Sequence, residues 1–282
     1  MKLKDDYWER QFAQYNSVEA SPSLKYRTWQ PARFAANKSA LITIKSYLPS
    51  LPKSCMELGA GSAAFSFSLY EEFNCEDINA IDYSDSAKQF GQLAASHMNI
   101  LLKYKCHDFF DKQIQQLKYD MVLSLGVIEH FGEVKRREFI SVCAKFSNKY
   151  VLIAIPNQES LIFQSYVKWA TKSNNQYKDQ HEKYDLYNLL QDINENNYRV
   201  LHYDGFQCFL SESAFLNELQ FDKKISSVLK EALYKVNPSL AERFPDVDFS
   251  VNDIDDMAKA EASLPVDFRL KYAFMNYVLF EV

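Results

Sequence analysis

Glu57-Leu58-Gly59-Ala60-Gly61-Ser62-Ala63-Ala64 carries the strongest architectural signal in the chain. It closes a short β-rich run that starts at Ser54 and leads directly into a helix candidate. Glycine is scarce in this chain, six in 282 residues, yet two of the six stand one residue apart at Gly59 and Gly61. A backbone turning sharply from strand to helix needs a residue without Cβ, and so does a ligand that must approach the main chain closely. The spacing fits a G-x-G-x-x-(G/A) turn. Asp82 follows 21 residues after Gly61, at the end of the next β-rich run, where a carboxylate can accept from both hydroxyls of a ribose. A nucleoside cofactor is the chemistry that this pattern serves.

Working outward, residues 54–155 alternate short apolar runs with amphipathic stretches, the pattern of βαβ units and a mostly parallel sheet. The strand candidates are Ser54 to Leu58, Ile78 to Asp82, Leu101 to Cys106, Tyr119 to Leu125 and Tyr150 to Ile155. Ser84 is placed to cap the helix after the second strand, and Phe139, Val142, Cys143 and Phe146 share one helical face. Further on come a loop at Pro156 and Asn157, a polar stretch, a helix near Leu186 to Glu195, and strands at Tyr198 to Tyr203 and Phe274 to Glu281.

Two attachments flank this core. The N-terminal segment carries Tyr7, Trp8, Phe12, Tyr15, Tyr26 and Trp29, with positions 8, 12 and 15 on one helical face. They either pack against the core or form an aromatic lid on a small-molecule site. Pro22 and Pro31 bracket a loop before a second helix from Phe34 to Leu48. Residues 206–272 are too many for a structureless loop. There, Ile225, Val228, Leu229, Ala232 and Val236 mark an amphipathic helix stopped by Asn237 and Pro238, and another runs from Asn252 to Leu264 and Pro265. The expected organisation is a lid segment at 1–50, a core at 51–205 and 273–282, and a helical cap at 206–272.

A formal charge of −5, with lysines and arginines scattered, offers no footprint for nucleic acid. No apolar run approaches the ~18 residues of a membrane span, and Asp5, Asp6 and Glu9 with no apolar stretch do not make a signal peptide. The five cysteines are odd in number and lack ligand spacing, so they read as buried thiols in a reducing cytoplasm.

Five stretches recur in order, each at the C-terminal end of a strand candidate: ELGAGSA at 57–63, AIDYS at 80–84, CHDFF at 106–110, YDMVLSLGVIEHF at 119–131 and VLIAIPN at 151–157. Through them the chain resembles the class I S-adenosylmethionine-dependent methyltransferases, over residues 54–205 and the last strand. The resemblance implies an α/β fold, a Rossmann-like doubly wound sheet of seven mostly parallel strands with an antiparallel last strand. It implies S-adenosyl-L-methionine as cofactor, its methionine half held by Glu57, Gly59, Ala60 and Gly61. Ala63 stands where the family pattern has a third glycine. Asp82 would take the ribose hydroxyls, Tyr83 would flank the adenine, Asp108 would accept from the adenine amino group beside Phe109, and Ser124, Leu125 and Gly126 would hold the methionine amine.

The acceptor would meet the methyl group near Glu129 and His130, and His130 is the candidate general base, an imidazole of ordinary pKa ~6.5 suiting proton removal near neutrality. His181 lies where many family members send a histidine toward the active site. Some related O-methyltransferases carry a metal-binding Glu-x-x-Glu-His, but Gly126 replaces the first glutamate, and one carboxylate with one imidazole is thin for a hard cation. The run Asp246 to Asn252 lacks the glycine and the bidentate glutamate of a calcium loop, so no metal is expected. The expected reaction is O-directed methyl transfer to a small molecule. The alternatives are N-methylation of a small molecule or peptide, a catalytically silent binding module, and an NAD(P)-dependent oxidoreductase. A homodimer through the helical segments is compatible with this organisation.

Overall fold

The computed structural model describes residues 6–16, 31–112, 114–172, 183–209, 223–244 and 249–282. Seven strands form one sheet: β1 (Ser54–Leu58), β2 (Asp77–Asp82), β3 (Leu102–Cys106), β4 (Tyr119–Leu125), β5 (Ser147–Pro156), β6 (Arg199–Phe206) and β7 (Met275–Glu281). Their order is β3-β2-β1-β4-β5-β7-β6, with β1 to β5 paired in parallel. β7 runs antiparallel to both β5 and β6. The central strands are buried on both faces, which is why they read as continuous apolar runs.

The helices are α1 (Asp6–Asn16), α2 (Pro31–Ile44), α3 (Ala64–Phe73), α4 (Asp85–His97), α5 (Glu133–Phe146), α6 (Leu161–Lys172), α7 (Leu186–Glu195), α8 (Lys223–Val236), α9 (Pro238–Arg243), α10 (Ile254–Ala262) and α11 (Val266–Tyr272). Side chains alternate across each strand, so the sheet feeds two cores. On one face Cys55, Ile78, Met121 and Leu152 pack with α2, α3 and α4. On the other Met56, Ile81, Val122 and Val151 pack with α5 and α7. A third apolar cluster joins Ala32 and Ala35 of α2 to α8, α10 and α11.

Several local expectations are revised. The second helix starts at Pro31 rather than Phe34, because proline suits the first helical position, where its missing N–H is no loss. Pro238 likewise opens α9, with Asn237 accepting from Leu240 N–H at 3.2 Å as its cap. The stretch after Asn157 is a helix, α6, begun by Ser160 Oγ accepting from Phe163 N–H at 2.9 Å. α11 follows Pro265, where the sequence reading had only a stop. Cys106 is exposed at the end of β3, whereas Cys55, Cys75, Cys143 and Cys208 are buried free thiols.

The helices of 223–272 are fastened to the sheet by polar groups. Arg269 of α11, 4% exposed, pairs with the fully buried Asp204 of β6. It also donates to the Ala262 carbonyl at 2.9 Å. Glu261 of α10 accepts from the backbone N–H of Gln207 and Cys208 at 2.6 and 3.2 Å. Lys38 of α2 bridges Glu72 of α3 and Asp255 of α10 at 2.5 and 2.8 Å. Among the described residues, no helix is long and apolar enough to cross a membrane.

Candidate active site at the carboxyl ends of β1 and β4

Strand order runs leftward from β1 to β3 and rightward from β4, so the carboxyl ends of β1 and β4 flank the switch point where open α/β sheets bind ligands. The turn after β1 occupies this crevice. Gly59 and Gly61 take φ of +67° and +50°, left-handed values that cost a side-chain-bearing residue about 1–2 kcal/mol. Ala63, at the third position of the pattern, adopts φ +58° as well, so the turn keeps its shape with an alanine there. Tyr104 of β3 fixes the turn from below by donating to the Gly61 carbonyl at 2.7 Å.

Asp82 ends β2 against this turn. Its Oδ2 accepts from Gly61 N–H at 2.9 Å and its Oδ1 from Ser84 N–H at 3.0 Å. Burial pushes its carboxyl up, while the backbone N–H groups of Ser84, Gly61 and Tyr83 pull it down. A carboxylate offers about four lone-pair sites, so each oxygen retains capacity for a ligand hydroxyl. Glu57 is buried, and its Oε2 accepts from Ser66 N–H at 3.1 Å and Ser66 Oγ at 2.6 Å. It thereby caps the first turn of α3, and burial pushes its carboxyl up to about 7.

Beyond Asp82, Tyr83 is exposed and its carbonyl accepts from Cys106 Sγ. Asp108 is exposed, with Oδ1 held by Phe110 N–H at 2.9 Å. The Phe109 ring is buried against Phe139, 5.3 Å between centroids, so its side chain belongs to the core. The half-buried neighbour Phe110 remains nearer the surface, an arrangement that the adjacent identical residues do not reveal. At the end of β4, Ser124 Oγ is buried with no hydrogen-bond partner among the described residues. Leu125 and Gly126 follow, and Gly126 N–H donates to the Ala154 carbonyl at 2.9 Å.

Glu129 and His130 lie on a short 3-10 turn, Ile128–His130, and face different surroundings. Glu129 is fully buried, its Oε1 lying 3.5 Å from where a Cβ on Gly126 would sit. Burial pushes its carboxyl up to about 8 against the opposing pull of Arg136. His130 is partly exposed and meets Trp8 of α1 edge to face, centroids 6.3 Å apart. One turn along α1, Phe12 packs on the glycine turn: a Cβ at Gly61 would lie 2.9 Å from Phe12 Cζ. α1 thus spans from the glycine turn to the imidazole. His181 lies outside the described residues.

The crevice suits an adenosyl ligand by its own geometry. The turn takes left-handed backbone at Gly59 and Gly61, Asp82 has spare acceptor capacity, and Ser124 offers a buried hydroxyl without a protein partner among the described residues. Residues 56–146 match the family model described as a methyltransferase domain. No curated protein matches the chain. Among solved structures, the chain is similar to the plantazolicin methyltransferase BpumL in complex with a monoazolic desmethylPZN analog and SAH (S-adenosylhomocysteine). The TM-score is 0.53 at 14% identity, covering 99% of this chain and 97% of that one. A chain of the complex between the Haloferax volcanii Trm112 methyltransferase activator and a methyltransferase gives 0.52 at 12% identity, covering 100% and 98%. Coclaurine N-methyltransferase bound to N-methylheliamine and SAH gives 0.50 at 14% identity, covering 87% and 71%. At these identities the structural likeness speaks for the fold. The match over residues 56–146 and the Rossmann-like sheet around it agree on a methyltransferase domain, for which S-adenosyl-L-methionine is the methyl donor.

Proposed function

We propose that the protein methylates a small-molecule acceptor, O-directed, with His130 as the base that takes the acceptor's proton. The observation that carries this reading is the partly exposed His130 imidazole at the end of β4, facing Trp8 across the mouth of the crevice. When bound, S-adenosylmethionine supplies a methyl group already activated by the positive sulfur. The protein's share is then to position the acceptor, exclude water and receive one proton. Asp82 and the Gly59 to Gly61 turn would hold the adenosyl portion, and Ser124 to Gly126 with Glu57 would line the methionine portion. Asp108, with the backbone of Phe109, would meet the adenine beside Tyr83. Glu129, fully buried against Gly126, would support the His130 turn rather than meet the acceptor. Residues 1–50 would act as a lid, and 206–272 as a cap that shapes the acceptor pocket, the core being 51–205 and 273–282.

The test is transfer of labelled methyl from S-adenosylmethionine into size-fractionated extract. Label in the small-molecule fraction is the expected result. Label in protein would replace the acceptor class with a polypeptide. No label, despite tight SAH binding, would point to a silent binding module.

A further inference from the structure

The lid helix makes its densest set of polar contacts at one carboxylate. Glu9 of α1 accepts from Ser84 Oγ at 2.7 Å, and from Ser86 Oγ and Ser86 N–H, the latter at 3.3 Å. These donors form the N-terminal end of α4, where exposed N–H groups and the helix dipole favour an anion. Ser84 does double duty. Its Oγ accepts from Ala87 N–H at 3.0 Å as the helix cap, which leaves its hydroxyl proton for Glu9. The Glu9 carboxyl is held below the usual range, first by the hydroxyls of Ser86 and Ser84. Asn16, at the other end of α1, donates to the Ser86 carbonyl at 2.7 Å.

The position of this contact matters more than its strength. Ser84 is two residues beyond Asp82, and Phe12, three residues beyond Glu9, covers Gly61. The helix that Glu9 fastens therefore lies over the donor's side of the crevice, and through Trp8 it reaches His130 as well. An 11-residue helix is too short to persist alone, the threshold in water being about 12–15 residues. Releasing Glu9 should therefore loosen the helix as a unit about its remaining anchors, Phe12 and Asn16, and not merely one side chain.

We propose that Glu9 latches α1 shut over the cofactor crevice, so that cofactor exchange requires rupture of its hydrogen bonds to Ser84 and Ser86. Glu9 acts here as a positioning residue, and the gating rests on the donor reading given above. The Glu9 hydrogen bonds run to Ser84 and Ser86 of the protein itself, so the latch acts on the closed state whether or not cofactor is bound. Its loss should then speed entry and departure together, unlike the loss of a ligand contact, which speeds departure alone.

The experiment compares wild type with Glu9→Gln and Ser86→Ala. Hydrogen exchange of the α1 amides is followed without ligand, and stopped-flow association and dissociation are measured with SAH. Charge-assisted hydrogen bonds of this kind predict α1 exchange and both SAH rate constants faster by roughly tenfold or more, with Kd within about threefold of wild type. Glu9→Asp, one methylene short, should behave like Glu9→Gln. Unchanged α1 exchange in both Glu9→Gln and Ser86→Ala would overturn the latch. A weaker Kd through faster dissociation alone would make Glu9 a ligand contact and overturn it equally. If wild type binds no SAH, the donor reading and the gating both fail, while the α1 exchange data still decide whether the latch exists.

Discussion

Asp82 Oδ2 accepts the backbone N–H of Gly61 at 2.9 Å, tying the end of β2 to the glycine turn after β1. Asp82, proposed above as the ribose acceptor, and the turn proposed to cradle the cofactor are therefore one mechanical unit. Asp82→Ala should weaken SAH binding by roughly 100-fold, since two charge-assisted hydrogen bonds are lost. It should also cost about 1–3 kcal/mol of stability, because the N–H groups of Gly61 and Ser84 lose their partner. Calorimetric titration and urea unfolding check the two effects, and unaltered SAH affinity would remove Asp82 from the site.

His130→Ala should leave SAH affinity near wild type, because the proposed role of the imidazole is toward the acceptor. Turnover on a hydroxyl acceptor should fall by roughly 10²- to 10⁴-fold. Equal turnover in wild type and variant would take the base role away from His130.

Glu129 makes stability depend on pH in a definite direction. Its native carboxyl is raised to about 8 by burial, while in the unfolded chain it titrates near the ordinary ~4.3. The native state therefore holds a proton between these values that the unfolded state has released. Stability from this group is complete below the unfolded pKa and is lost as pH rises through the native one. Glu129→Gln keeps the shape and cannot ionise, so it should match wild type near pH 4 and exceed it by roughly 5 kcal/mol above pH 8. Glu57 and Glu261, both raised to about 7 by burial, keep their own share of the slope. Identical pH profiles for wild type and Glu129→Gln would contradict the burial argument.

Gly205 tests how the 223–272 helices are attached. A Cβ there would lie 2.3 Å from the Arg269 carbonyl oxygen, so backbone must move. That displacement strains the buried Arg269 to Asp204 pair, and breaking such a pair costs about 3–5 kcal/mol. Gly205→Ala should therefore destabilise the protein by several kcal/mol in chemical unfolding, against less than 1 kcal/mol for the exposed Gly132→Ala, whose Cβ meets nothing.

The parallel core was readable because its signals are local and repeated. β1 and β4 have the predicted ends, since apolar runs flanked by turn residues mark doubly buried strands, and α7 carries its cap in Asp185. The Asp82 carboxylate lies beside Gly61, a contact between two strand ends that the spacing alone did not give. α6 and α11 each follow a proline-containing break that conceals them from a local reading, and their apolar faces acquire meaning only when the sheet is present. The lid was named as an alternative from aromatic spacing, but Glu9 meets Ser84 and Ser86 across some 75 residues, and no local pattern encodes that. Tyr104 left one trace that went unread. Gly91 sits in mid-helix because a Cβ there would come within 2.9 Å of the Tyr104 ring, the same ring whose hydroxyl holds the Gly61 carbonyl.

The most direct measurement of the central claim is thermal unfolding of the wild-type protein with SAH and, separately, with NAD. A ligand that binds only the native state raises the transition temperature with its concentration. A concentration-dependent rise with SAH that Asp82→Ala largely abolishes is expected, with no rise for NAD. Stabilisation by NAD alone would contradict it.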